Sequence, residues 1–281
     1  MEFIPATPLR SGAVVQVALA GYEGLFITAP PASEAADALR TVPGHATDTA
    51  LNPVIDIEYS RPLDPATVTA GVTLNETSTS QPVRAGIVLR GGRIIRISPE
   101  QSLMPNSSYT YQVSGNLLDL TGQPVTPLQQ SLTTGTEGIF ESPRLLLAAP
   151  ADGATGVEPT AEIRLSFDRA VNPLTLSSET VLLIQDGLRE AVSISLTKDG
   201  CEVVLAPNVP LETSSRVQVT VAGVEDMSGN TAAPSTIRFQ VRTTPKPLVG
   251  RTTRKTRNSF TNGLFSARRR LIGLLFGRRS R

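Results

Sequence analysis

Along many short stretches of this chain, apolar and polar residues alternate one for one. Ile55, Ile57 and Tyr59 interleave with Asp56 and Glu58, and Ile163, Leu165 and Phe167 with Arg164 and Ser166. A period of two sends alternate side chains to opposite faces of a β-strand, so each stretch predicts a strand with one buried and one wet face. Further strands are expected near Thr67–Leu74, Val83–Leu89, Arg93–Ser98, Ser108–Ser114 and Gln129–Thr134. A second set is expected near Thr180–Gln185, Ala191–Thr197, Cys201–Ala206, Arg216–Ala222 and Thr236–Arg242. Gly91-Gly92 and Asp199-Gly200 are hairpin turn signals. No stretch reads as a convincing helix; Ala-rich Ser33–Arg40 reads either as linker or as one or two helical turns capped by Ser33.

The alternation is itself repeated. Pro5, Leu9 and Gly21 recur as Pro99, Leu103 and Gly115, and again as Pro207, Leu211 and Gly223, with gaps of four and twelve residues each time. Between Leu and Gly lies an alternating run: Val15, Val17, Leu19, then Tyr109, Tyr111, Val113, then Val217, Val219, Val221. Ile163, Leu165 and Phe167 match Ile55, Ile57 and Tyr59 at an offset of 108. Residues 40–137 and 142–244 therefore each predict about seven short strands, the pattern of an antiparallel β-sandwich. The expected fold class is all-β, with two tandem sandwiches joined by Gly138–Glu141. Residues 1–29 match only the closing part of a repeat. They read either as a tight hairpin packed on its neighbour or, the favoured reading, as the closing hairpin of a truncated copy, in a natural chain that begins upstream. Residues 30–39, opening with Pro30-Pro31, read as a linker.

Net charge changes the picture at one end. Residues 1–241 carry 14 Lys/Arg against 25 Asp/Glu, a net of −11, whereas residues 242–281 carry 12 Lys/Arg and no acid. The tail, 245–281, is expected to be flexible and strongly basic. Within it Arg268, Arg269 and Arg270 precede the apolar run Leu271–Phe276, and Arg278 and Arg279 follow it. That run is too short to span a bilayer, which takes about 20 apolar residues. These arginines are candidates for contact with an anionic membrane surface or wall polymer, or with the acidic body, beside the plainer expectation of a disordered terminus or a frameshifted or mispredicted gene end. No specific nucleic-acid partner is expected. Met1–Pro5 has no basic segment followed by a long apolar one, so no secretory signal is expected there.

Candidate chemistry is sparse. A single histidine, His45, and a single cysteine, Cys201, leave no disulfide and little material for a triad or a His/Cys metal site. There is no phosphate loop and no nucleophile elbow, so no catalytic residue is expected. Two acidic turns remain: Asp119-Leu120-Thr121-Gly122-Gln123 and Asp226-Met227-Ser228-Gly229-Asn230. The favoured role is structural, with the carboxylate accepting backbone N–H groups and the glycine taking positive φ. The alternative is a calcium site using Asp119, Asp226 and Asn230. One carboxylate per turn is few for an ion that takes six to eight oxygens.

The order Pro-x-x-Gly-Ala-Thr-Gly-Val (Pro150 to Val157), Ile-x-Leu-x-Phe-Asp-x-Ala-Val-x-Pro (Ile163 to Pro173), Leu-x-Pro-x-x-x-Leu (Leu205 to Leu211) and Gly-Val-x-Asp-x-x-Gly-Asn (Gly223 to Asn230) resembles a known family. It is similar to the bacterial immunoglobulin-like domain of the SbsA type, found in S-layer and other bacterial surface proteins. The resemblance covers 142–244 and 40–137; the latter departs at Gly44-His45-Ala46-Thr47 and has Gln123 in place of the Asn, and the tail has no counterpart. It implies extracellular tandem modules that serve as spacers, adhesive units or lattice subunits, some of them binding calcium, with neighbouring Ig-like repeats or cell-surface components as partners and no family catalytic residues. The rival reading is a carbohydrate-binding or accessory module of a larger secreted hydrolase. Against it, Trp is absent and the four Tyr fall mostly on core-facing positions.

Overall fold

The computed structural model describes residues 35–243 in full and, before them, the backbone of two strands. These are β1 (Val14–Leu19) and β2 (Tyr22–Ile27), an antiparallel hairpin with Leu19 opposite Tyr22. The basic tail, including Arg268, Arg269, Arg270, Arg278 and Arg279, lies outside the described residues.

Alternation converts into strands as expected from Ile55 onward. The first sandwich comprises β3 (Ala38–Val42), β4 (Ala46–Thr49), β5 (Ile55–Tyr59), a helix α1 (Pro65–Gly71), β6 (Val72–Glu76), β7 (Ala85–Arg90), β8 (Ile94–Pro99), β9 (Ser108–Val113) and β10 (Leu128–Thr134). The second comprises β11 (Leu145–Ala149), β12 (Ile163–Phe167), a 3-10 turn (Pro173–Thr175), β13 (Val181–Gln185), β14 (Leu188–Glu190), β15 (Val192–Leu196), β16 (Glu202–Pro207), β17 (Arg216–Val221) and β18 (Ser235–Gln240). The sheets run β3-β5-β8-β7 and β4-β10-β9-β6 in the first, β11-β12-β16-β15 and β14-β13-β17-β18 in the second. Strand pairing is antiparallel except where β4 meets β10. The second copy echoes that exception as a parallel bridge between Val157 and Val241.

Each core is built from the inward faces of its two sheets. Ile55, Ile57 and Tyr59 are fully buried with Tyr111, Val113 and Leu132 in one; Ile163, Leu165 and Phe167 are buried with Val217, Val219 and Val221 in the other. The repeated Pro–Leu–Gly phrase has a simple structural sense. Pro99 and Pro207 end β8 and β16, and Leu103 and Leu211 are buried in the connection that follows. The chain then enters the alternating strands β9 and β17.

Three expectations change. First, Thr67–Gly71 is helical rather than extended. Asp64 caps the helix, its side chain accepting from Ala66 N at 3.0 Å, and Pro65 sits where its missing N–H costs nothing. Gly71 ends it so close to Leu117 that a Cβ would come within 2.7 Å of that residue. At the matching place Asn172 caps the 3-10 turn, accepting from Leu174 N at 3.0 Å. Second, β3 starts inside the stretch expected to be linker, and Ala36 is fully buried in the first core, so residues 36–39 belong to the sandwich and are not helical. Third, Asp56 on the wet face of β5 is only 1% exposed. The second sandwich covers it.

Candidate functional site

The two acidic turns are built alike. Asp119 Oδ1 accepts from Thr121 N (2.8 Å), Thr121 Oγ1 (2.6 Å) and Gln123 N (3.0 Å). Asp226 Oδ1 accepts from Ser228 N and Asn230 N, both at 2.9 Å, while Asn230 Nδ2 donates to Asp226 Oδ2 at 3.0 Å. Gly122 and Gly229 hold φ of +79° and +80°, a conformation that side chains other than glycine's disfavour. Arg61 and Arg169 stand behind the carboxylates, at 3.9 Å and 4.0 Å. For Asp119, burial pushes the carboxyl up, but the bonds from Thr121 and Gln123 and the charge of Arg61 outweigh it and leave the pKa below the ordinary value. In both turns one carboxylate oxygen is thus engaged by backbone amides. Among the described residues no group of three or more His, Cys, Asp or Glu is gathered as for a metal ion. The Cys201 thiol is pushed up by burial and by the nearby charges of Asp199 and Asp168, away from the thiolate a nucleophile needs. His45 is exposed in the loop between β3 and β4.

The Asp226 turn does something the Asp119 turn is not seen to do: it docks. Val54 N, just before β5, donates to Met227 O at 3.0 Å. Gly229 lies where a Cβ would come within 2.8 Å of Val54 Cγ2. Asn230 Nδ2 also donates to Ile139 O, in the connection between sandwiches, at 3.0 Å. Asn52 grips the same residue from the other side, donating to Ile139 O at 2.6 Å and accepting from Ile139 N at 2.8 Å. Arg169 donates to Glu141 O at 3.1 Å. The short connection is therefore held by side chains from both sandwiches.

Beside this clamp lies a buried polar cluster on the outer face of β5, β8 and β7. Arg96 binds Asp56 through two parallel bonds, Nε to Oδ1 at 2.8 Å and Nη2 to Oδ2 at 2.7 Å. From the second sandwich, Asn172 Nδ2 donates to Asp56 Oδ2 at 2.7 Å, and Glu225 Oε2 meets Arg96 Nη1 at 2.6 Å and Arg90 Nη1 at 3.2 Å. Burial works against the Arg96 charge, but Asp56 and Glu225 outweigh it and hold its pKa above the ordinary value. Asn172 is fully buried and does two tasks, its amide nitrogen reaching Asp56 while its oxygen caps the turn at Leu174. Breaking such a buried, bidentate pair typically costs about 3–5 kcal/mol, because the remaining charge stays out of water. Sequence reasoning singled out Asp226 and Asn230 as a turn or calcium candidate rather than as a docking element, and missed Asp56, Arg96, Asn172 and Glu225. Asp56 and Asn172 are 116 positions apart, and nothing local marks them as partners.

The second sandwich treats its own corresponding face differently. Arg164, at the register position of Asp56, is half-exposed and pairs with Glu162 and Glu202 of the same module at 2.8 Å.

Among solved structures, the chain is similar to the N-terminal part of the bacterial S-layer protein SbsC, at 14% identity and a TM-score of 0.31, over 74% of this chain and 45% of that one. It is similar to CopC from Methylosinus trichosporium OB3b, at 11% identity and a TM-score of 0.30, over 38% of this chain and 99% of that one. It is also similar to the BSP domain of a biofilm-associated protein, at 11% identity and a TM-score of 0.24, over 73% and 29%. The chain thus spans less than half the length of the S-layer structure it matches. No curated protein sequence matches it. The model of the bacterial Ig-like domain family matches residues 32–134 and again 141–241, and the chain belongs to that family.

Proposed function

We propose that this chain is a non-enzymatic structural or adhesive segment of a bacterial cell-surface protein, in which the two Ig-like modules act as one stiff spacer. The observation that carries this reading is the junction: a connection gripped by Asn52 and Asn230, beside the buried Asp56–Arg96–Asn172–Glu225 cluster. Relative motion is the default between domains of one chain, and a buried polar cluster spanning the joint opposes it. A spacer or adhesin benefits from it because a fixed angle carries a terminal binding surface to a defined distance. Family membership supports the same reading.

The test is the distribution of distances between spin labels at Thr73→Cys and Ser195→Cys, both exposed, in a Cys201→Ala background. A narrow distribution is expected, broadened in Asn172→Ala/Glu225→Ala. An equally broad distribution before and after that change would show that the junction does not set the angle.

A further inference from the structure

A groove of about 670 Å³ lies on the outer face of β17 and β18, away from the junction. Its floor includes Ile184, and its rim is the loop Gly153–Thr155. Four outward residues on the two strands form a checkerboard, Arg216 opposite Gln240 and Gln218 opposite Arg238. Diagonal neighbours in such a pair of strands lie about 7–8 Å apart, so the two guanidinium groups can reach a single ligand.

What sets these arginines apart is that nothing among the described residues holds them. The other arginines of the second sandwich, Arg144, Arg164, Arg169, Arg189 and Arg242, each have a carboxylate within 4.0 Å. The side chains of Arg216 and Arg238 are exposed and have no ion pair or hydrogen bond among the described residues. Of the nearby carboxylates, Asp186, which also lines the groove, accepts from Arg216 N through Oδ1, and Asp152 accepts from Arg238 N through Oδ1. On a body with a net charge of −11, two free guanidinium groups side by side are out of keeping with their surroundings.

The lining selects among anions. Arginine forks match carboxylates, while glutamine amides both donate and accept and so suit hydroxyl groups. An extended peptide would dock by adding a strand, but the open edge of β18 is already taken: Gly153 N donates to Arg238 O at 2.6 Å and Gln240 N to Ala154 O at 2.8 Å. A ligand read by side chains across the sheet face is left. We propose that this groove binds an acidic oligosaccharide, its carboxylates on Arg216 and Arg238 and its hydroxyls on Gln240 and on the Gln218 oxygen, the Gln218 nitrogen donating to Thr220 Oγ1 at 3.2 Å. With no exposed aromatic ring in the checkerboard, recognition works through charge rather than ring stacking, and it weakens as salt rises. The proposal stands apart from the spacer reading: a flexible junction would leave the groove unchanged.

The test is hydrogen exchange of the full chain with an oligogalacturonate in excess, at low salt, beside the same oligomer methyl-esterified to remove its charge. Because exchange is resolved along the chain, binding by the basic tail is read separately from binding in the groove. Protection of residues 151–157 and 216–218 by the acid and not by the ester is expected. It should weaken roughly tenfold or more for each arginine removed in Arg216→Ala/Arg238→Ala, and less in Gln218→Ala/Gln240→Ala. Protection confined to the tail, equal protection by the ester, or protection unchanged in the double arginine variant overturns the proposal.

Discussion

Tyr59 carries a hydroxyl that its counterpart Phe167 lacks. Both rings sit at the same place in their cores, but the Tyr59 oxygen is buried with no hydrogen-bond partner among the described residues. Burial raises its pKa, since the phenolate would have no water around it. A buried donor left unpaired costs about 1–3 kcal/mol, so Tyr59→Phe is expected to stabilise the first sandwich or leave it unchanged, never weaken it. Thermal unfolding measures this; a lowered midpoint would mean the hydroxyl has a partner. By contrast, Phe167→Ala empties a site only 4% exposed and should cost about 3–5 kcal/mol in denaturant unfolding. Asp119 gives a pH signature. Its folded pKa lies below the ordinary carboxylate value, so the folded state holds fewer protons than the unfolded chain in acid. Its stabilisation is whole above the unfolded pKa, about 3.9, and is lost as pH falls from there through the folded value. The stability gap between the native chain and Asp119→Asn should therefore be constant at neutral pH and close in acid. A gap that widens in acid would reverse the sign of the shift.

The paired turns make a controlled comparison at the scale of the element. Gly122 and Gly229 share the same positive φ, but a Cβ on Gly122 meets nothing within 4 Å, while one on Gly229 meets Val54 of the other sandwich. Gly122→Ala should cost only the conformational penalty, about 1–2 kcal/mol. Gly229→Ala should cost more, and the excess measures the contact across the junction in calorimetric unfolding; equal costs would mean Val54 yields freely. Much of the fold was legible because strands such as β5, β12, β9 and β17 alternate cleanly and recur at fixed spacing. The strands β3 and β11 were not, because Leu-Arg-Thr-Val and the apolar Leu145–Ala149 run lack a clear two-residue period. The helix α1 was hidden by its β-branched Thr67, Val68 and Thr69, although Asp64-Pro65 is a start signal readable in hindsight. Of the candidate site, the Asp226 segment was legible as a turn because it has a local motif, but its docking was not. Asp56 looks like any solvent-facing strand residue until another module covers it.

For the molecule as a whole, the junction is expected to couple the unfolding of two cores that share no buried residue. Arg96→Ala strips Asp56 of its bidentate partner while leaving it buried under Asn172, and should cost about 3–5 kcal/mol. It should also split a shared unfolding transition into two, which differential scanning calorimetry resolves; one unaltered transition would show that the cluster does not couple the modules. The junction also gives the pair a direction. The receiving face is Asp56 with Arg96 across the strand pair, and the inserting face is Asn172 with Glu225. At the same register, the second sandwich has Arg164 across from Val204, with Arg164 already satisfied by its own glutamates. The capping position of the first sandwich holds Asp64 instead of Asn172. Genetic shuffling that reversed the order of the two modules, or copied the second after itself, would bring an aspartate or an asparagine to an arginine with no vacancy, and the joint would swing. These modules are not interchangeable beads: their order along the gene is part of what they inherit.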